Sequence, residues 1–243
     1  MVFNQKKYVM ESNKILIISP TYNEIENIQL FIDSVFDFGD LSLLIVDDNS
    51  PDGTAEVVKS NLKKNKRLHL ISRPKKLGLG TAYMDAFSWF LKSDYQYCVQ
   101  MDCDFSHSFT DLKGLIAEIN NSDLIIGSRY IKGGLTEGWG MYRKLLSKYA
   151  NKIAKFVLSS KIQDLTGGFK IMNREIVSKI VKFQPRSNGY TFQIEVNQFV
   201  ENNLFKIKEI PITFKERASG KSKMSFGIIL EAIFFLFKNL IYK

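Results

Sequence analysis

The chain has 243 residues, 45% of them hydrophobic, which is enough for one domain with a substantial core. Its 34 basic against 25 acidic residues give a formal net charge of +9, which indicates an anionic partner such as nucleic acid, nucleotide, phosphate or an anionic membrane. Two cysteines, Cys98 and Cys103, are too few for a disulfide framework. The N-terminus shows no signal-peptide pattern, so we expect the body of the protein to face the cytoplasm.

Short aliphatic runs alternate with amphipathic stretches of helical length from residue 14 to residue 128, a pattern typical of βαβ units around a largely parallel sheet. The pattern predicts strands at 14–19, 41–47, 67–72, 95–101 and 123–128, and helices at 24–37, 53–64, 79–92 and 109–120. Right-handed crossovers would build one doubly wound, Rossmann-like layer, with its ligand crevice at the carboxyl ends of the strands.

After residue 128 the alternation stops, and we interpret the glycine-rich stretch at 130–140 as a mobile loop over the crevice. The pattern then predicts helices at 141–158 and 191–202, and a strand at 206–214 in which Pro211 indicates an edge position.

The C-terminal tail is almost wholly apolar from residue 226 to residue 241, but it is too short and too charged to predict a bilayer span. We expect an amphipathic helix that lies in the plane of a membrane surface. A helix packed on the core of the domain is the alternative.

The first two predicted strands both end in polar turns, with the sequences SPTYNE at 19–24 and DDNSPDGT at 47–54. Tyr22 offers an aromatic face, and Glu24 with Asp47 or Asp48 can accept hydrogen bonds from a ribose or a base. Ordinary turn and cap chemistry explains either segment equally well when the segment is taken by itself.

The fourth predicted strand ends in MDCDFSH at 101–107, which places Asp102 and Asp104 just past a strand end. Two carboxylates at this spacing can reach one hard divalent cation that bridges diphosphate oxygens. Such a pair is common by chance, but its position in an alternating α/β pattern makes the metal interpretation more specific. His107 either lies near this metal or belongs to the start of the next helix.

Together these segments resemble the family 2 glycosyltransferases, and later motifs narrow the resemblance to the dolichyl-phosphate (polyprenyl-phosphate) mannosyltransferases. Those motifs are GSRY at 127–130, Arg143 and Ser147 in the helix at 141–158, DLTGGFK at 164–170, GYTFQIE at 189–195 and ERASGKSKM at 216–224. The resemblance covers about residues 14 to 230. It implies a metal-dependent GT-A fold, with an N-terminal extension at 1–13, a catalytic domain at 14–224 and a C-terminal amphipathic membrane-surface helix at 225–243.

The resemblance also implies which residues bind the donor. The metal, Mg²⁺ or Mn²⁺, would be held by Asp102 and Asp104. Some relatives have a glutamine two residues after the second aspartate, where this chain has Ser106, which would reach the metal through a water molecule. The nucleotide would be bound by Pro20, Tyr22, Glu24, Asp47, Asp48 and Asp102.

The implied reaction transfers mannose from GDP-mannose to the phosphate of a polyprenyl monophosphate, with inversion at the anomeric carbon. The acceptor phosphate is already ionised near neutral pH, so the site needs no general base. It needs cationic groups that hold two phosphates against their mutual repulsion, for which arginine is better suited than lysine. By the same resemblance, those groups and the acceptor-phosphate site would comprise Arg129, Arg143, Ser147, Arg217 and Lys223.

Two alternatives stay open: a sister enzyme that uses a UDP-sugar such as UDP-glucose, and a basic nucleic-acid-binding domain. The second would need basic residues clustered on one face, whereas here they are spread along the chain, so we expect no nucleic acid partner. The chain resembles the short type of these enzymes, without transmembrane helices. We therefore expect a peripheral protein on the cytoplasmic face of a membrane, acting by itself or with a membrane-embedded partner protein.

Overall fold

The structure is a computed structural model that describes residues 14–217, residue 231 and residues 234–237. The strands are β1 (Ile15–Thr21), β2 (Ser42–Asp47), β3 (Leu68–Ser72), β4 (Tyr97–Gln100), β5 (Leu124–Ser128), β6 (Leu135–Thr136), β7 (Lys170–Asn173), β8 (Ile207–Pro211) and β9 (Thr213–Phe214). Within the described residues, seven strands form the main sheet in the order β3-β2-β1-β4-β7-β5-β8, and β6 pairs with β9 in a small second sheet.

Helices cover both faces of the main sheet. They are α1 (Ile25–Phe38), α2 (Thr54–Leu62), α3 (Leu79–Phe90), α4 (Phe109–Ile116), α5 (Met141–Leu158), α6 (Arg174–Phe183) and α7 (Thr191–Asn202). Strand side chains alternate between the two faces, so Ile17 packs in the layer with α1, α2 and α4, and Ile18 packs in the layer with α3, α5, α6 and α7. This mostly parallel sheet between helices confirms the predicted fold class.

The five strands and four helices predicted up to residue 128 are all present, with small shifts at their ends. Strand β2 shows why the prediction works: all of its residues are buried, because it lies between β1 and β3 and is covered on both faces. The predicted edge position of Pro211 is also confirmed, since β8 is the last strand of the sheet and pairs with β5.

Two elements, β7 and α6, lie where the sequence analysis predicted no strand or helix. Strand β7 is short and runs antiparallel between β4 and β5. It begins with Lys170, a residue type that usually marks solvent-exposed positions, yet this lysine is fully buried and its ammonium group lies 2.6 Å from Asn197 Oδ1. Burial lowers the pKa of Lys170 to about 7.

The second half of the chain differs from prediction in two further places. The glycine-rich stretch at 130–140 contains β6, and the strand predicted at 206–214 divides into β8 and β9. The predicted N-terminal extension, Lys223 and most of the predicted helix at 225–243 lie outside the described residues, although residues 234–237 are helical. Among the helices of the described residues, none has the length and apolar character that a bilayer span requires.

Candidate active site

The sheet brings the polar segments that follow β1, β2 and β4 to one edge, because β1 pairs in parallel with both of the other strands. Asp47, at the end of β2, is almost fully buried and binds both neighbouring turns. It accepts hydrogen bonds from Thr21 Oγ1 at 3.0 Å and from the backbone nitrogen and hydroxyl of Ser50 at 2.9 and 2.6 Å. Asp47 therefore connects the end of β1 to the turn after β2 at the predicted nucleotide edge.

Asp48 anchors the loop between β3 and α3. Its Oδ1 lies 2.5 Å from the guanidinium of Arg73, and its Oδ2 accepts from the backbone nitrogens of Leu77 and Gly78 at 3.3 and 3.2 Å. Arg73 also donates to Thr81 at 2.6 Å and is nearly fully buried. The sequence analysis assigned no role to Arg73, because a single arginine after a strand does not differ from a surface residue in sequence.

The remaining residues predicted to bind the nucleotide lie at the same edge. Tyr22 is partly buried, and the ammonium group of Lys76 lies 3.9 Å from the centre of its ring. Glu24 is buried and accepts from the side chain of Asn27 at 2.9 Å. Pro20 pairs with Val46 in the β1–β2 register. This edge thus combines an aromatic face with carboxylate acceptors, as a base and ribose require.

The predicted metal carboxylates follow β4 and face different neighbours. Asp104 is buried, and its Oδ1 accepts from both the backbone nitrogen and the hydroxyl of Ser106, at 3.1 and 2.6 Å. The other oxygen, Oδ2, lies 3.4 Å from the guanidinium of Arg217. Asp102 is partly exposed. The backbone turns at Phe105, between Asp104 and Ser106, where the φ angle is +60°.

His107 supports this turn from below. Its ring is buried, stacks on Phe169 at 4.6 Å between ring centroids and meets Phe214 edge-on at 5.2 Å. Burial lowers the pKa of His107 to about 4, so the imidazole is neutral at neutral pH. Its Nδ1 lies 3.5 Å from the backbone nitrogen of Asp102. The histidine belongs to the packing under the carboxylates, and it precedes the capping residue of α4.

The donor set fits a metal that is shared with a diphosphate. Among the described residues there is no group of three or more histidine, cysteine, aspartate or glutamate side chains that could hold a metal ion. Asp102 and Asp104 supply oxygen ligands for a hard cation, and such ions commonly complete their coordination with substrate phosphates and water. The hydroxyl of Ser106 already donates to Asp104, so this serine fixes a carboxylate.

The structure places Arg129 in a buried ion pair with Asp164, and its role as a phosphate ligand stays a prediction. Its Nε and Nη2 donate to the two carboxylate oxygens of Asp164 at 2.8 and 2.7 Å, and Nη2 also donates to Thr166 at 2.8 Å. Burial by itself would lower the pKa of Arg129, but the charge of Asp164 offsets this and the pKa is raised. Conversely, the arginine lowers the pKa of Asp164 against the opposing effect of burial. Arg129 therefore supports the loop after Asp164.

Of the other predicted phosphate-binding residues, Arg217 contacts Asp104 and Arg143 contacts the neighbouring Glu216. Arg143, near the start of α5, donates to Glu216 at 3.0 Å, and its guanidinium lies 4.2 Å from the centre of the Trp139 ring. Glu216 directly precedes Arg217, which reaches Asp104. One turn further along α5, Ser147 shares a 2.7 Å hydrogen bond with the hydroxyl of Tyr130.

Tyr190 also lies at this site, although the sequence analysis gave it no role. It directly precedes α7, and the charges of Asp102, Arg217, Asp104 and Arg143 act on its phenol. Burial, followed by the two carboxylates, raises the pKa of Tyr190. The only signal in the sequence is its position in the GYTFQIE motif, directly after a glycine.

Comparison with solved structures identifies the fold. Glucosyl-3-phosphoglycerate synthase from Mycobacterium tuberculosis, in complex with Mn²⁺, UDP-glucose and phosphoglyceric acid, superposes with a TM-score of 0.67 at 16% identity, covering 94% of this chain and 79% of that chain. A mannosyltransferase from Pyrobaculum calidifontis, in complex with GDP-Man and Mn²⁺, gives a TM-score of 0.57 at 15% identity, covering 86% of this chain and 58% of that chain. The chain has the GT-A fold of nucleotide-sugar transferases.

Sequence comparison then identifies the family. The model of glycosyl transferase family 2 matches residues 16–181. The chain is 41% identical over 229 residues to polyprenol monophosphomannose synthase from Mycolicibacterium smegmatis, covering 93% of this chain and 86% of that protein. It is 36% identical over 221 residues to undecaprenyl-phosphate mannosyltransferase from Micrococcus luteus, covering 90% of this chain and 91% of that protein. The chain belongs to glycosyltransferase family 2 and is a glycosyltransferase, which decides between the predicted enzyme and the nucleic-acid-binding alternative.

Proposed function

We propose that this glycosyltransferase transfers mannose from GDP-mannose to the phosphate of a polyprenyl monophosphate, with inversion at the anomeric carbon. The observation that carries the proposal is the contact of Arg217 with Asp104, next to Asp102 in the same turn, together with the ion pair between Arg143 and Glu216, the residue before Arg217. A carboxylate pair beside two arginines provides for a metal-bound diphosphate and a second phosphate. The mannosyl and polyprenyl names of the two relatives support the sugar and the acceptor.

On the donor side, Pro20, Tyr22, Glu24, Asp47 and Asp48 would form the nucleotide edge. Asp47 and Asp48 use their oxygens within the protein, so their contribution is to hold the turns and the β3–α3 loop in place, together with any contact to the ribose. Asp102 and Asp104 would hold Mg²⁺ or Mn²⁺, which neutralises charge on the departing diphosphate. Ser106 orients Asp104, and Arg129 supports the site through Asp164.

On the acceptor side, the phosphate attacks without a general base. Arg143 and Arg217 each face a carboxylate, Glu216 and Asp104, so an entering phosphate competes with these partners for the guanidinium groups. Holding both phosphates in line with the anomeric carbon removes most of the entropic cost of bringing the reactants together. Ser147 would add a hydroxyl, and Lys223 stays a predicted acceptor residue outside the described part of the chain.

The outer surface of α5 supports peripheral association with a membrane. Lysines on the same helix, at positions 144, 148, 152 and 155, complement anionic headgroups. Arg143 and Ser147 are part of this helix, so a polyprenyl phosphate that leaves the bilayer here would arrive beside them. The exposed apolar residues, which we call the α5 face, are Met141, Tyr142, Leu145, Leu146, Tyr149, Ile153 and Phe156.

The test is transfer of radiolabelled sugar to a short polyprenyl phosphate in detergent, with GDP-mannose and UDP-glucose offered in parallel. We expect lipid-linked product from GDP-mannose with Mg²⁺ or Mn²⁺ and no product after addition of a chelator. The Asp102→Ala variant should keep its fold and lose turnover, because this residue is partly exposed and contributes little to packing. Product only from UDP-glucose would contradict the donor, and no lipid-linked product from either donor would contradict the acceptor.

A further inference from the structure

We propose that Trp139 is a positioning residue for the acceptor phosphate, because its indole ring fixes the guanidinium of Arg143 before the phosphate binds. The proposal rests on the proposed function, in which Arg143 is a ligand of that phosphate. Trp139 lies outside the motifs that carry the family resemblance, and the sequence analysis treated its segment only as a loop over the crevice.

The guanidinium of Arg143 is held by a ring and by a carboxylate. Its central carbon lies 4.2 Å from the centre of the Trp139 ring, and Nη1 donates to Glu216 at 3.0 Å. A guanidinium that rests on an aromatic face keeps its N–H donors directed outward, in its own plane. The side chain of Arg143 is 38% exposed, so donors that Glu216 does not use can meet an entering phosphate.

The indole ring of Trp139 is itself fixed by packing. It meets the ring of Phe214 edge-on, with 5.4 Å between ring centroids and 70° between the ring planes. Phe214 in turn meets the buried ring of His107 at 5.2 Å. The indole nitrogen is buried and has no hydrogen-bond partner within the described part of the chain, so the ring contributes through its aromatic face.

The backbone next to Trp139 is fastened to the segment that carries Glu216. The backbone nitrogen of Glu137 donates to the carbonyl of Phe214 at 2.8 Å, and the backbone nitrogen of Glu216 donates to the carbonyl of Glu137 at 3.0 Å. Gly138 permits this approach, because a Cβ atom there would lie 2.8 Å from the Cβ of Glu216. The ring and the carboxylate that hold the guanidinium are therefore joined to each other through β6 and β9.

This arrangement reduces the cost of binding a phosphate. A free arginine side chain loses much of its rotational freedom when it binds a ligand, whereas one that already rests on a ring loses less. Trp139 lies two residues before α5, the helix that carries Arg143 and the α5 face, while the nucleotide edge follows β1 and β2. The benefit should therefore fall on the lipid phosphate and not on the sugar nucleotide.

The experiment compares Trp139→Leu and Trp139→Phe with the wild type. Leucine removes the aromatic face, so we expect KM for a short polyprenyl phosphate to rise by roughly 3-fold to 30-fold, as for loss of a cation–π contact, with KM for GDP-mannose within about 2-fold. Phenylalanine keeps an aromatic face and should recover most of this loss. Trp89→Leu is the matched control, because Trp89 packs with His69 and Tyr95 near the opposite ends of the strands, and it should change neither KM.

A second measurement needs no turnover. Trp89 and Trp139 are the two tryptophans of the chain, so the Trp89→Phe variant keeps Trp139 as its single indole fluorophore. We expect its emission to change when polyprenyl phosphate in detergent is added. The change should disappear when Arg143→Met is combined with Trp89→Phe, because the phosphate then no longer binds beside the ring.

The outcomes separate this proposal from the proposed function. A lipid-dependent change in Trp139 emission without transfer of mannose would support the role of Trp139 and contradict the donor. An emission that does not respond to the lipid, or an unchanged KM for polyprenyl phosphate in Trp139→Leu, would overturn the role of Trp139. Equal rises in both KM values, or no recovery in Trp139→Phe, would also overturn it, because the ring would then act on the fold as a whole. A melting curve for each variant confirms that the proteins compared are folded.

Discussion

Replacing Asp164 by asparagine removes the charge that balances Arg129 while keeping the shape of the side chain. Asp164 is fully buried and accepts from the backbone nitrogen of Arg129 at 2.9 Å as well as from its guanidinium. In the variant, one carboxylate oxygen becomes an NH₂ group that points at a guanidinium. Arg129 then remains buried without a counter-charge, and we expect the folded state to lose much of its stability.

The expected loss follows from the burial of the pair. Removing one partner of a buried, hydrogen-bonded ion pair destabilises a protein by about 3–5 kcal/mol, because the remaining charge is not compensated. Total unfolding free energies of domains are about 5–15 kcal/mol, so the loss is a large part of the whole. For a chain of this size, it corresponds to a fall in Tm of roughly 6–20 °C.

Urea unfolding, followed by circular dichroism, measures the difference between wild type and Asp164→Asn. The matched control is Asp40→Asn, which removes the same charge from an ion pair between Asp40 and Arg67 at 2.8 Å. Because the side chain of Asp40 is 63% exposed, its variant should lose less than about 1 kcal/mol. Equal losses at the two positions would refute the reasoning, since they would mean that Arg129 and Asp164 are solvated.

Three further predictions follow from the site and its surroundings. Ser106→Ala should raise the Mn²⁺ concentration for half-maximal transfer by roughly 10-fold, because Asp104 loses its hydroxyl donor; an unchanged metal dependence would contradict this role. The imidazole of His107 binds a proton below about pH 6.5 in the unfolded chain, but only near pH 4 in the folded chain, where it is buried. Lowering the pH from 7.5 to 5 should therefore reduce the unfolding free energy by about 2 kcal/mol. Urea titrations at both pH values should show this slope in the wild type and a smaller slope in His107→Gln. Leu146→Ser, on the α5 face, should weaken sedimentation with vesicles of phosphatidylglycerol by several-fold, whereas Leu204→Ser, at a residue that is 92% exposed, should not; equal effects would remove α5 as the membrane surface.

Much of the fold could be predicted because the relevant signals are local. The runs that form β1, β2 and β5 are aliphatic on both faces, and polar turns follow them, so strand positions and the ligand edge could be inferred from short windows. Strand β7 could not be predicted in this way. Its first residue, Lys170, has the character of a surface residue, and only its contact with Asn197 on α7 explains its burial.

The candidate site also combines positions that local sequence predicts with contacts that it does not predict. The positions of Asp102 and Asp104 follow from their place after a strand, and both do lie at the predicted edge. Whether an arginine meets solvent, a phosphate or a carboxylate depends on residues far along the chain. Arg129 pairs with Asp164, which lies 35 residues further along the chain. Arg143 comes to the site from α5, and Arg217 comes from the segment after β9.

The sequence by itself determined the class of fold, the edge at which ligands bind and the family, because periodicity and ordered motifs are properties of the chain that survive without coordinates. The tertiary structure decided which charged groups are neutralised by one another and which face the crevice, since burial and ion pairing depend on distances between elements that are remote in sequence. For that reason Arg129 lies in a buried ion pair with Asp164, whereas Arg217 reaches Asp104 at the predicted metal site.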